Sequence, residues 1–204
     1  MTGDHTGSMP AEAGPSNSPR TGHGEEWRAK MMRPYASEYP SSCAGYIDLV
    51  PEDDVLPVLR GQIESARQFA ASVPQDRETY AYAPGKWTIR QVAGHLGDGE
   101  RAFSFRAFCF SRADQNPLPG FEEDAYVEQS NFNGRRLADL VEEFALLRSA
   151  NLRMLSALRD DQWARSGVAN GSSITVRALA FGMAGHVRHH FKTLRDRYAV
   201  KVRA

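Results

Sequence analysis

An all-α fold, a bundle of four long helices, is predicted by three features of the sequence. Apolar residues recur at helical spacing in four separate runs, each run ends at a recognisable stop, and no convincing strand pattern lies between them. With 204 residues, 41% of them hydrophobic, the chain can bury the core of one ordinary domain and carry a tail besides.

Residues 1–32 are rich in Gly, Pro, Ser and Thr, with hardly an apolar side chain before Trp27. Such a stretch cannot bury enough surface to offset its ordering entropy, so a disordered tail is expected, with His5 and His23 solvated. Met9, Met31 and Met32 are alternative biological starts. Residues 33–53 hold Pro34, Pro40 and Pro51 among Tyr35, Tyr39, Tyr46, Ile47, Leu49 and Val50. Proline spacing and aromatic anchors predict an extended arm laid over the domain formed by residues 54–204.

The first long helix is expected from about Asp54 to Ser72, with Val55, Leu59, Ile63, Ala66 and Phe69 on one face and Val73-Pro74 as its stop. After a loop through Tyr82-Ala-Pro-Gly-Lys-Trp87, Thr88 and Gln91 make a capping-box pattern, so the second helix starts at Ile89 and runs to about Ser111. Residues 112–136 form a long loop, and loops of that length in compact domains carry function or order poorly. Phe121, Tyr126, Val127 and Phe132 predict that this one packs down as a cover. The third helix spans about Leu137–Leu158, Asp160-Asp-Gln-Trp163 turns the chain, and Val168-Ala-Asn-Gly-Ser-Ser marks a second loop. The fourth helix runs from about Thr175 to Tyr198.

Charge and cysteine usage exclude several classes. Lys+Arg and Asp+Glu are both 25, so the basic surplus that phosphate-backbone binding draws on is missing and nucleic acid is not expected as a partner. Cys43 and Cys109 form no CxxC pair and no disulfide framework. No apolar run approaches the roughly 18–20 residues of a membrane span, and there is no signal-peptide core, so no membrane partner and a cytoplasmic protein are expected.

Histidines carry the chemistry. Ala184-Gly-His186-Val-Arg-His189-His190-Phe191 places His186 and His190 one turn apart, where two imidazoles can face one atom. At about 100° per residue, His190 lies roughly 40° from His186 toward the apolar stripe, and His189 falls roughly 60° the other way, facing out. His95, on the second helix, stands in the same relation to its own core face. A lone histidine beside a core is more often a hydrogen-bonded structural residue than a ligand. An i, i+4 pair with a third histidine in matching placement shifts the balance toward a metal, since neutral imidazoles suit Zn, Ni, Fe or Cu and three protein ligands leave positions open. Asp98, one turn from His95, is a candidate to hydrogen-bond and orient that imidazole and, with Tyr126, a candidate acid or base; solvated surface and loop packing are the plain alternatives. Glu100 projects away from His95.

The order and spacing of several segments resemble the DinB-like superfamily. They are Tyr82-Ala-Pro-Gly-Lys-Trp87-Thr-Ile, Gly94-His95-Leu with Glu100-Arg101, Pro117-Leu-Pro-Gly-Phe121, Glu142-Glu-Phe144 with Arg148, Trp163-Ala-Arg-Ser-Gly167, and Ala184-Gly-His186 with His189-His190. The resemblance covers residues 46–198. It implies an up-down-down-up four-helix bundle holding a divalent metal ion, Zn or Ni first, on His95, His186 and His190, with His189 outside the ligand set. Members similar in this way include thiol S-transferases and isomerases that use bacillithiol or mycothiol, and others described as metal-dependent hydrolases. Two functions follow as expectations. One is an enzyme that activates a thiol or a water for attack on a small-molecule substrate, with residues 112–136 as a lid. The other is a metal- or small-molecule-binding bundle in stress response, without turnover. A homodimer through exposed helix faces is a further expectation, with Phe105 and Phe108 as candidates for that contact or for one with the N-terminal arm.

Overall fold

The computed structural model describes residues 32–202, so the tail expected at residues 1–32 lies, except for Met32, outside the described residues. In chain order, two single 3-10 turns (Ala36–Glu38 and Ser41–Cys43) lead into α1 (Ala44–Ile47) and α2 (Val55–Ser72). A 3-10 turn at Gln75–Arg77 precedes α3 (Ile89–Ser111). Then come α4 (Glu123–Gln129), a 3-10 turn at Phe132–Gly134, and α5 (Leu137–Ser156). Last are α6 (Asp160–Trp163), β1 (Ser166–Ala169), β2 (Ser172–Thr175) and α7 (Val176–Tyr198).

Local signals set the ends of the long helices. Asp54 caps α2 by accepting from the Leu56 amide at 3.0 Å. Thr88 and Gln91 cap α3 reciprocally, at 3.1 Å from the Gln91 amide to the threonine hydroxyl and 2.8 Å from the Thr88 amide to the glutamine oxygen. Thr175 does the same work for α7 through the Ala178 amide.

Side-chain pairings fix the direction of each helix. Arg67 with Glu142, and Arg148 with Gln62, make α2 and α5 antiparallel. Gln62 on the Ala184 carbonyl and Phe69 against Phe191 make α2 and α7 parallel. Gly99 under His186 and Gly182 under Phe103 make α3 and α7 antiparallel, and each long helix packs mainly on two neighbours in the cycle α2, α5, α3, α7. The result is an up-down-down-up four-helix bundle, with α2 diagonally opposite α3 and α5 diagonally opposite α7.

Three expectations are corrected. Residues 33–53 are not extended: each proline-bounded step winds into a single turn, and α1 then drops Ile47 fully into the core. Residues 112–136 are not all loop, since α4 lies within them. A seven-residue helix that buries only Val127 presents too little apolar face for periodicity to reveal. The segment at Val168–Ser173 is a β-hairpin rather than a loop. Asn170 and Gly171, at φ 50° and 71°, make the left-handed two-residue turn that Asn-Gly dipeptides favour. The segment that returns the chain from α3 to α5, residues 112–136, is pinned to this hairpin, with the Leu118 amide donating to Val168 at 2.9 Å and the Asn170 amide to Leu118 at 3.0 Å.

A buried ion pair joins all four long helices. Arg148 of α5, fully buried, donates to both oxygens of Glu100 of α3 at 2.9 and 2.7 Å and to Gln62 of α2 at 2.7 Å. Gln62 in turn donates to the Ala184 carbonyl of α7 at 2.8 Å. Glu100, which projects away from His95, is only 2% exposed, because these partners replace its water. Among the described residues, no helix is long and apolar enough to cross a membrane.

Candidate metal centre

His95, His186 and His190 meet. The His186 Nε2 atom lies 2.9 Å from the Nε2 of His95 and 3.1 Å from that of His190, and the candidate ligand atoms of the three all fall within 4.8 Å of one another. Two packing choices in the sequence allow this approach. A Cβ on Gly99 would come within 2.5 Å of the His186 ring, so glycine there lets α3 and α7 close on each other. Gly185 likewise has the Tyr46 carbonyl against it, and Tyr46 then sets its ring edge-on to His186 at 5.6 Å.

Aromatic rings hold the imidazoles in place. Trp87, fixed just ahead of the α3 cap, tilts over His95 at 4.7 Å and lies parallel to His190 at 6.3 Å. Phe103 packs on His186 at 5.7 Å, and Phe121 of the return segment stands 6.5 Å from His95. Tyr198 secures the Trp87 backbone by donating its hydroxyl to the Trp87 carbonyl at 2.6 Å.

Burial makes the cluster a set of lone pairs. His95 is pulled down to about 4 by burial, against the opposing pull of Glu123 and Asp124. Burial first, and the neighbouring imidazoles second, take His186 and His190 well below the ordinary histidine range. At neutral pH all three rings are uncharged, the form that ligates metal. Each pair of facing Nε2 atoms can share at most one proton, and three such atoms around one point leave lone pairs directed inward. A divalent cation fits that donor set, and no carboxylate or thiol joins the cluster among the described residues. The buried Nδ1 of His95 has no hydrogen-bond partner, so the expected partnership with Asp98 is not made. The Asp98 carboxylate turns instead toward Arg101, 3.8 Å away, because it leaves α3 on the side of the return segment.

His189 is exposed, edge-on to Tyr46 at 5.5 Å, and stands apart from the three. Asp98 and Tyr126 both line a cavity of about 300 Å³ that none of the histidines lines; Phe121, also on its wall, links it to the cluster by packing 6.5 Å from His95. A second, smaller cavity of about 240 Å³ opens onto His190 itself, between Trp87, Lys86, Asp124 and Thr193. Asp124 and Phe121 were not singled out for the site from the sequence; both lie in the return segment, where no periodicity points at a partner. Phe105 and Phe108 are 55% and 46% exposed, and Phe105 lines the larger cavity.

The fold has a solved counterpart. Over 72% of this chain and 87% of the other, it superposes with a TM-score of 0.62 and 20% identity on YfiT from Bacillus subtilis, described as a probable metal-dependent hydrolase with an unusual four-helix bundle topology. No curated protein sequence matches the chain. The DinB superfamily model matches residues 59–194, a span holding the four long helices' facing surfaces and all three clustered histidines, and on that match the chain belongs to the DinB superfamily.

Proposed function

We propose that the protein is a divalent-metal-dependent enzyme that activates a water or a low-molecular-weight thiol for attack on a small electrophilic substrate. The observation that carries this reading is the convergence of three uncharged imidazoles, two buried and one half-buried, with the His186 Nε2 atom 2.9 and 3.1 Å from those of His95 and His190, at a cavity that opens onto His190. A divalent ion, Zn or Ni by the nitrogen donor set, would supply a Lewis acid that lowers the pKa of the water or thiol beside it. The description of YfiT as a probable metal-dependent hydrolase supports the hydrolytic form of this reading.

The chain's own groups would do the rest. His95, His186 and His190 bind, and Trp87, Tyr46 and Phe103 keep their rings from rotating away. Phe121 and Trp87 keep bulk water off the cluster, as an electrostatically driven step requires. Asp98 and Tyr126 line the larger cavity and are the groups placed to take or give a proton at its rim; burial raises the Asp98 carboxyl above the ordinary range, which suits it to hold a proton nearer neutrality.

The test is turnover by protein loaded with Zn or Ni. Two substrate sets are offered, a low-molecular-weight thiol with chlorodinitrobenzene, and simple esters and amides, each beside His190→Ala. Metal-dependent consumption that disappears in His190→Ala supports the enzyme, and the set consumed tells transferase from hydrolase. Metal binding without consumption of either set would overturn the enzyme and leave a metal-binding bundle without turnover.

A further inference from the structure

The larger cavity has a chemical bias of its own. One wall is a stripe of α3 carrying Asp98, Arg101, Phe105 and Arg106, and the other is the return segment from Leu118 to Phe121 with Tyr126. Most of this surface is apolar, and its two cations differ in what holds them. Arg101 is engaged by Glu143 and by Asp98 at 3.8 Å. Arg106 is half-buried and donates one hydrogen bond, from Nη2 to the Pro119 carbonyl at 2.9 Å. Among the described residues no carboxylate pairs with it. The ionisable group beside it is the Cys43 thiol, which burial keeps protonated.

A guanidinium has five donors in a planar fork, and one carbonyl occupies one of them. Setting such a cation into an apolar wall without a counter-charge costs desolvation, and burial accordingly pulls its pKa down. The Pro119 carbonyl fixes the fork's orientation while leaving other donors free. We infer that this cavity binds a small carboxylic acid with a flat apolar body, its carboxylate paired to Arg106 and its body lying between Phe105, Phe121 and Tyr126. The inference rests on the enzyme reading above and names the substrate class for it.

Charge selects carboxylate over phosphate. One free guanidinium balances one negative charge, and Asp98 further up the same wall would repel a dianion. Position gives the molecule a direction. Arg106 lies eleven residues beyond His95 on the same helix, a rise of about 16 Å, so the uncharged end of a bound acid points along α3 toward Phe121 and the histidines. A planar carboxylate also suits the bidentate pairing that arginine offers and lysine does not.

The test compares 4-phenylbutyrate with 4-phenylbutanamide by isothermal titration calorimetry. It uses full-length protein stripped of metal by chelation and dialysis, so that no ion at the histidines can hold the carboxylate. The acid should bind about tenfold tighter than the amide to the native chain, as a charge-assisted pair would give. In Arg106→Gln the two affinities should fall within about twofold of each other, with that of the amide unchanged. Equal binding of acid and amide by the native chain, binding of neither at millimolar concentration, or a preference that survives Arg106→Gln would overturn the inference. Circular dichroism checks the variant's fold; should it fail, Arg106→Lys decides, because loss of the fork should cut the preference about threefold and an unchanged preference counts against it. The enzyme reading fails separately, through absent turnover in a chain that still prefers the acid.

Discussion

Gly99 sits one turn beyond His95 on α3, with the His186 ring where a Cβ would be. An alanine there would ordinarily strengthen a helix by roughly 1 kcal/mol. Here the methyl must move the imidazole, so Gly99→Ala should weaken Zn binding about tenfold or more while leaving helix content unchanged, as read by calorimetry and circular dichroism. Tyr198 gives a pH signature at the same scale. Burial, with Tyr82 and Tyr80 nearby, raises its hydroxyl to about 12, above the value of about 10 that it has when unfolded. Neither state ionises below pH 10, so nothing is lost there; as pH rises from about 10 toward 12 the unfolded chain releases the proton first, and stability falls. Urea denaturation at pH 9 and pH 11.5 should therefore show a steeper loss for the native chain than for Tyr198→Phe. The variant itself should lose about 1 kcal/mol at pH 9, with the hydrogen bond to Trp87 gone.

Among the elements, the hairpin offers the cleanest contrast. Gly171 has φ 71° in the turn, and Gly61 lies on the exposed face of α2 with open space around it. Gly171→Ala should cost about 1–2 kcal/mol, and Gly61→Ala should gain about 0.5–1 kcal/mol, both by thermal or urea unfolding. The elements also show where the sequence was readable. The start of α3 follows from Thr88 and Gln91, and the four long helices follow from apolar spacing, because those signals act within a few residues. The Asn170-Gly171 signal for the hairpin was present but short, flanked by strands of four residues each, and the helical pattern around it dominated. The three histidines could be grouped by their angle to each apolar stripe. Asp98 could not be placed the same way, because whether it faces His95 or Arg101 depends on a segment that approaches from outside the helix.

Across the whole molecule, the Glu100–Arg148 pair is the contact that no local reading finds: the two are charged, and 48 residues apart. Removing one partner strands a buried charge, so Arg148→Met should destabilise by about 3–5 kcal/mol, and Glu100→Gln in the same direction. Replacing both should cost less than the sum of the two, a coupling that a double-mutant cycle by urea denaturation would measure. Because Gln62 passes this network to the Ala184 carbonyl, two residues before His186, the single variants should also loosen metal binding before the protein unfolds. The order of the helices has a consequence of another kind. Since α3 and α5 run side by side in the same direction, the chain must travel back along the full length of α3, about 34 Å, before α5 can begin. Residues 112–136 make that journey, and on the way they supply Phe121 and Tyr126. The topology thus obliges the protein to carry a long stretch of chain past its own histidines. A change of diet for the cavity can be written into that stretch while the four helices stay as they are.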